Sequence, residues 1–261
     1  MRVKTAALLS CLLMAALMSS GCSFYSKLRA RDQLNKGVQA FTENEYVTAT
    51  KFFAEAVRLD PDFEVARMYL ATSYSQQYIP GSPDPASTEM AQNAIKTFKE
   101  VVDAKPDSPN LNAMISVASL YYQLREYDNA KEWCAKIQKV DPDNADAMYR
   151  VAVIDYDDTV AKTGLQGEGV EFLSEEDKTR TLANIEEGIA MLGKALAIRP
   201  DYFDAMEYQN LLWREKAKFE KDEKAKQEII READKVAQRA LALRLQAAQE
   251  EAKKPRKLGA K

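Results

Sequence analysis

Small and large apolar residues recur along this chain at spacings of four and three, and each run closes on a proline. The stretch from Tyr46 to Asp62 shows the pattern best, with Ala49, Phe53 and Ala56 followed by Pro61. It returns as Ala94, Phe98, Val101 and Pro106, as Ala130, Cys134, Ile137 and Pro142, and as Gly188, Leu192, Ala195 and Pro200. Steps of four and three put three residues on one face of an α-helix, and the proline ends the helix and turns the chain. Four copies of one supersecondary unit predict an all-α solenoid in which each unit buries its apolar face against its neighbours. A binding scaffold is the function class that follows.

Each of these helices needs a partner helix before it. In the first unit the pattern predicts one from about Arg31 to Thr42 and the second from about Tyr46 to Leu59, with Gly37 as the place where the two backbones approach. Asp60, Pro61 and Asp62 open the next unit, with aspartate available as a cap. In the third unit, from Asn110 to Pro142, Ser108 is expected to cap the first helix with Pro109 at its first position. Two insertions break the regularity, Gln77 to Ser87 with three prolines and Thr163 to Asp177 with three glycines, the second supplying Ser174 as a cap for the helix that follows. Both fall at the turn between the two helices of a unit, so both are expected on one edge of the solenoid, as partner contacts or as tolerated surface insertions. A fifth, repeat-like pair of capping helices is expected over 201–252. Its last helix carries Ile229, Ala233, Val236, Ala240, Leu243 and Ala247 in a narrow apolar seam. Such a seam suits a terminal cap, with a coiled-coil dimer as the alternative. The end of the chain, 253–261, is basic and without periodicity.

Helix pairs of about 34 residues with this small–large–small–proline spacing resemble tetratricopeptide repeats. Gly37, Ala71, Ala118 and Ala152 fill the small place inside the first helix; Leu70, Val117 and Val151 precede three of them, and Tyr74 and Tyr121 follow two of them by three positions. Tyr46 and Tyr127 match the aromatic residue that opens the second helix. The resemblance covers 31–200, with Lys36 and Ala40 departing from the usual large apolar residues in the first unit. It implies a right-handed α-solenoid of about four helix pairs, with a concave binding face lined by the first helix of each. On the family's geometry that face takes in Leu34, Val38, Met68, Thr72, Asn112, Ile115, Ser119, Tyr122, Tyr149, Val153 and Tyr156. A mixture of tyrosine, methionine and aliphatic side chains suits an extended peptide or a helix laid in a groove. The subfamily that clamps a partner's terminal carboxylate uses lysine and asparagine on this face; Leu34 and Val38 stand there in the first unit, so that function is not carried over.

Composition narrows the chemistry. Hydrophobic residues make up 46% of the 261 positions, enough for a real core, and a net charge of −3 gives no field that attracts nucleic acid. There is no histidine, which removes the commonest general base and metal ligand. The acidic run Asp155, Asp157 and Asp158 beside Tyr156 is the nearest thing to a site, and reads as a solvated helix end. Gly164, Gly167 and Gly169 follow no predicted strand and precede no Lys-Ser/Thr pair, so they form no phosphate loop. No enzyme, cofactor or metal is expected.

The amino terminus sets the compartment. Arg2 and Lys4 head a short apolar run from Thr5 to Met18, and Ser19, Ser20 and Gly21 precede Cys22. Residues 1–21 therefore read as an export leader, too short for a stable spanning helix. The arrangement resembles the bacterial lipoprotein signal, in which the cysteine carries the lipid, although Ser19 stands where that family prefers leucine. The resemblance implies lipidation at Cys22, a tether over 22–30 and, with Ser23 rather than aspartate next, the periplasmic side of an outer membrane. An ordinary leader and a soluble periplasmic ligand-binding or enzyme-accessory protein remain the alternative. Loss of the leader leaves 35 basic residues against 40 acidic ones. Cys134 then has no disulfide partner and stands where Phe53 and Phe98 stand, as a small buried hydrophobe. The expected partners are other envelope proteins or peptides and, through the anchor, a membrane. Nucleic acid is not among them, and oligomeric state and partner identity stay open.

Overall fold

The structure is a computed structural model that describes residues 24–253. The leader, Cys22 and the basic residues after 253 lie outside the described residues. The helices are α1 (24–42), α2 (Tyr46–Leu59), α3 (Glu64–Ser75), α4 (Pro85–Asp103), α5 (Leu111–Gln123), α6 (Tyr127–Val140), α7 (Ala145–Thr163), α8 (Glu175–Ile198), α9 (Phe203–Ala217) and α10 (Glu223–Lys253). Among the described residues there is no strand, and none of these helices is long and apolar enough to cross a membrane. The fold class is the all-α helical solenoid. The chain divides into two compact units, one through Leu124 and one from Arg125.

In the first unit α2 buries Ala49, Phe53 and Ala56, and α4 buries Ala94, Phe98 and Val101, the residues that the four-and-three spacing singled out. Pro61 and Pro106 stand exposed just beyond these helices. The Phe53 ring stacks on Tyr69 of α3 with centroids 5.2 Å apart, and Phe41 meets Tyr46 edge-on at 5.1 Å. Gly37 lies directly against the Phe53 ring, so a Cβ there would fall inside the van der Waals shell of that ring. α3 packs on α2 and α4, and α4 packs on α5. The first insertion is tied down at both ends. Tyr78 is buried with its hydroxyl donating to the Gln123 carbonyl at 3.1 Å, and Ser87 Oγ accepts from the Ile79 amide at 2.8 Å. The loop proper ends at Asp84, whose side chain caps α4, so Pro85 to Ser87 form the first turn of that helix.

The second unit repeats the register: α6 buries Ala130, Cys134 and Ile137, and α8 buries Gly188, Leu192 and Ala195, with Pro142 and Pro200 exposed in the turns that follow. α7 packs on α6, α8 and also α9, and α9 packs on α10. The α10 seam faces inward: Ala233 is fully buried, and Ala240, Val236 and Leu243 join a cluster with Leu192, Met206 and Leu212. The second insertion begins at Gly164, where φ is +73°. Lys218 donates to the Gly164 and Leu165 carbonyls at 3.1 and 3.0 Å, and Ser174 caps α8 by accepting from the Asp177 amide at 3.0 Å.

Two sequence expectations are corrected. Residues 24–30, assigned to a tether, are helical, because no proline or glycine interrupts the stretch and Ala30 is fully buried. α5 is capped by Asn110 and not by Ser108: the Asn110 side chain accepts from the Ala113 amide at 3.1 Å and donates to Glu64 at 2.9 Å, which ties the cap to α3.

The packing separates two glycines by consequence. Gly37→Ala forces a methyl into the Phe53 ring and is expected to cost about 1–3 kcal/mol. Gly193→Ala, with nothing within 4 Å of the new methyl in the middle of α8, is expected to stabilise by about 0.5–1 kcal/mol. Urea unfolding of the two variants measures both signs.

Candidate functional site

In the first unit the predicted binding face is carried by α3 and α5. Asn112, Ile115, Ser119 and Tyr122 advance by three, four and three, which keeps them on one side of α5. The opposite side, with Ala113, Met114, Val117, Ala118 and Leu120, is buried. Asn112 is exposed, Ile115 is 38% exposed, and Ser119 and Tyr122 are half-buried. Met68 and Thr72 of α3 are half-buried, and the Thr72 hydroxyl donates to the Met68 carbonyl at 2.8 Å. A polar cavity of about 290 Å³ lies beside this strip, lined by Ser75, Gln76, Ser116, Ser119 and Gln123 with Phe98 and Leu120. The strip thus offers an aliphatic contact at Ile115 next to hydroxyl and amide groups that can pair with a peptide backbone. Leu34 and Val38 of α1 are half-buried and pack against the Phe53 cluster, so they serve the core as much as any surface.

In the second unit the same prediction fails, and the reason is α9. Val153 is only 5% exposed. The Tyr149 ring meets Tyr202 at 5.2 Å and Tyr208 edge-on at 5.4 Å, and Tyr156 meets Tyr208 edge-on at 5.5 Å. Aromatic side chains of the fifth pair therefore cover the face that a partner would need. Burial pushes the Tyr149 phenol up to about 12. Tyr202 donates to Asp146 at 2.9 Å, and Arg199 holds the same carboxylate with both terminal nitrogens at 3.1 Å.

Asp155 is the residue that sequence reasoning placed wrongly. α7 continues to Thr163, so Asp155 stands inside a helix rather than at a solvated end, and it is 1% exposed. Its Oδ1 accepts from Lys131 Nζ at 2.8 Å, and Lys131 also pairs with Glu187 at 2.6 Å, so three helices meet on one ammonium. Its Oδ2 has no hydrogen-bond partner. Burial is the largest influence and pushes the carboxyl up to about 7, against the pull of Lys131. Gly188 of α8 makes the room: a Cβ there would sit 3.3 Å from Oδ2 and 2.7 Å from Leu212. Asp155 borders a polar cavity of about 470 Å³ whose other charged lining includes Arg125, Asp158, Lys162 and Arg180. Charges of both signs alternate there, and Asp158 pairs with Lys162 at 2.6 Å. Among the described residues no group of three or more acidic or cysteine side chains is placed to hold a metal ion. Burial pushes the Cys134 thiol up to about 11, which keeps it protonated and inert as a nucleophile. One sequence signal did mark Asp155: with Ala152, Thr159 and Thr163 it falls on the buried stripe of α7 at steps of three and four.

This carboxyl gives a pH dependence of known sign. The unfolded chain releases its proton near the ordinary value of 3.8, whereas the folded protein holds it to about 7. Between those values the folded state binds more protons, so this group lowers stability as pH rises from about 4 to about 7, with no further loss above. Asp155→Asn removes that contribution. The stability of the variant relative to wild type is expected to grow over this interval by on the order of 1 kcal/mol, read as urea midpoints at pH 5 and pH 8. A difference that stays constant across those pH values contradicts the assignment.

Comparison with known proteins supports the same architecture. Residues 111–144, covering α5 and α6, match a tetratricopeptide-repeat family model. A crystal structure of MamA protein is similar over 89% of this chain and 98% of that chain, at 15% identity and a TM-score of 0.58. A second MamA crystal structure covers 82% of this chain and 96% of its own, at 17% identity and 0.55. MamA from Desulfovibrio magneticus RS-1 covers 84% and 96%, at 14% identity and 0.56. These identities make the likeness one of fold. Comparison with curated proteins finds no significant match. Residues 111–144 thus match one tetratricopeptide repeat outright, and the same small–large–small register is buried in the helices before and after it.

Proposed function

We propose that this chain is an exported, lipid-anchored scaffold of the bacterial cell envelope that holds a partner polypeptide along α3 and α5. The tetratricopeptide-repeat fold supports a protein–protein interaction scaffold in general. The observation that carries the more specific reading is the strip Asn112, Ile115, Ser119 and Tyr122, left accessible on a helix whose opposite side is fully committed to the core. An extended segment bearing one aliphatic side chain fits it, with the aliphatic group on Ile115 and Met68 and backbone groups meeting Asn112, Thr72 and Ser119. Location rests on the leader-like residues 1–21 and on the small residues before Cys22. An anchor of several acyl chains holds a protein on a membrane surface without any spanning helix. The reading assigns the chain no reaction.

The test is affinity capture of partners from membranes with the intact protein and with Ile115→Asp. Loss of an anchoring contact in a small interface is expected to reduce capture by about tenfold or more. Ile115 is 38% exposed, so the variant is expected to lose on the order of 1 kcal/mol of stability, and capture is compared where unfolding curves show both proteins folded. Equal capture by the two proteins removes α5 from the binding role. Fatty-acid labelling is expected to place the label on Cys22, and labelled protein from a Cys22→Ser variant would refute that anchor.

A further inference from the structure

The first two turns of α1 leave a set of large apolar side chains uncovered. Phe24 is 73% exposed, Tyr25 63% and Leu28 55%. At about 100° of rotation per residue the three fall within an arc of about 100°. The centre of that arc lies about 165° around the helix from Ala30, which is fully buried. The exposed arc therefore points directly away from the packed side of α1. Lys27 and Arg31 border it on one side and Arg29 on the other. No acidic residue occurs before Asp32, whose carboxylate pairs with Lys36 at 2.7 Å.

An apolar arc edged with cations is the arrangement of a helix that lies in the headgroup plane of a bilayer, with its rings and aliphatic chains at the acyl boundary. The position along the chain supplies the second argument. Phe24 is two residues from Cys22, and two residues span at most about 7 Å even when fully extended. A lipid on Cys22 would thus hold this arc within that distance of the membrane surface. From this we infer that residues 24–31 form an interfacial helix seated on anionic phospholipid, so that the protein meets the membrane through a helix face as well as through its acyl chains. The inference rests on the anchoring proposed above, and it gives the first unit a defined attachment in place of a free tether.

The test is amide hydrogen exchange over residues 24–31 in the mature protein purified from membranes. It is measured in detergent, on vesicles of phosphatidylcholine and on vesicles containing phosphatidylglycerol. Exchange is expected to slow by about fivefold or more on the phosphatidylglycerol vesicles, less on phosphatidylcholine, and not at all in the variant carrying both Phe24→Ser and Leu28→Ser. The urea midpoint of that variant is expected to stay close to wild type, because both side chains are mostly exposed. Exchange that is the same with and without vesicles overturns the inference. So does protection that appears without vesicles and grows with protein concentration, which would assign the arc to a second copy of the chain. The mass of the amino-terminal peptide reports acylation separately. An unacylated Cys22 defeats the anchor alone, and protection on added vesicles would still support the arc.

Discussion

The fold depends on close approach between the helices of a pair, made possible by a small residue facing a large one. Gly37 against the Phe53 ring is the tightest case, and in the second unit Gly188 of α8 is wedged between Asp155 and Leu212. Interiors pack to the density of organic crystals, so a single added methyl at such a contact is felt across the pair. Ala71, Ala118 and Ala152 hold the matching place in other first helices, all of them buried. Once that contact is made, the four-and-three stripe of the second helix has only one direction in which to bury itself. The prolines at 61, 106, 142 and 200 then sit in exposed turns, where a missing amide costs nothing.

The same contact decides what is left over for function. A first helix that spends one side on its partner has the other side available, and the two units use it differently. In the first unit α5 keeps Asn112, Ile115, Ser119 and Tyr122 accessible beside a polar cavity. In the second, Tyr202 and Tyr208 lie on Tyr149 and Tyr156, and the equivalent side is partly covered, with Val153 buried. One repeat grammar thus leaves an accessible strip on α5 and an aromatic cap on α7, and the cap is made by the tyrosines that come with α9.

What the sequence made legible follows from this. Residues whose role depends on helical period alone were placed correctly: Phe53, Phe98, Cys134 and Leu192 all occupy the same buried position, although one of them is a thiol. Positions that depend on distant partners were not. Tyr149, Val153 and Tyr156 carry the periodicity of an open face, and only the arrival of α9, about fifty residues on, closes it. Ser108 and Asn110 are both competent caps, and the bond from Asn110 to Glu64 of α3 favours the second, a contact spanning 46 positions. The start of α1 was set too late because Phe24, Tyr25 and Leu28 supply no buried stripe. They are helical without being packed, which is the case in which hydrophobic pattern carries least information.

Asp155 shows how a polar residue on an apolar stripe can be tolerated and what it enforces. With Oδ2 unpartnered and burial outweighing the pull of Lys131, the pair adds little net stability, and the apolar register must hold the unit together. Yet the charged form of that carboxyl is held at such depth by the Lys131 ammonium. Sliding α6 along α7 by one helical turn, about 5.4 Å, would carry the lysine out of range and leave the carboxyl to take up a proton in place of its ammonium partner. An apolar residue at 155 would accept both arrangements almost equally. What Asp155 adds is thus a contact specific to the native register, since only there does Lys131 of α6 reach both Asp155 of α7 and Glu187 of α8.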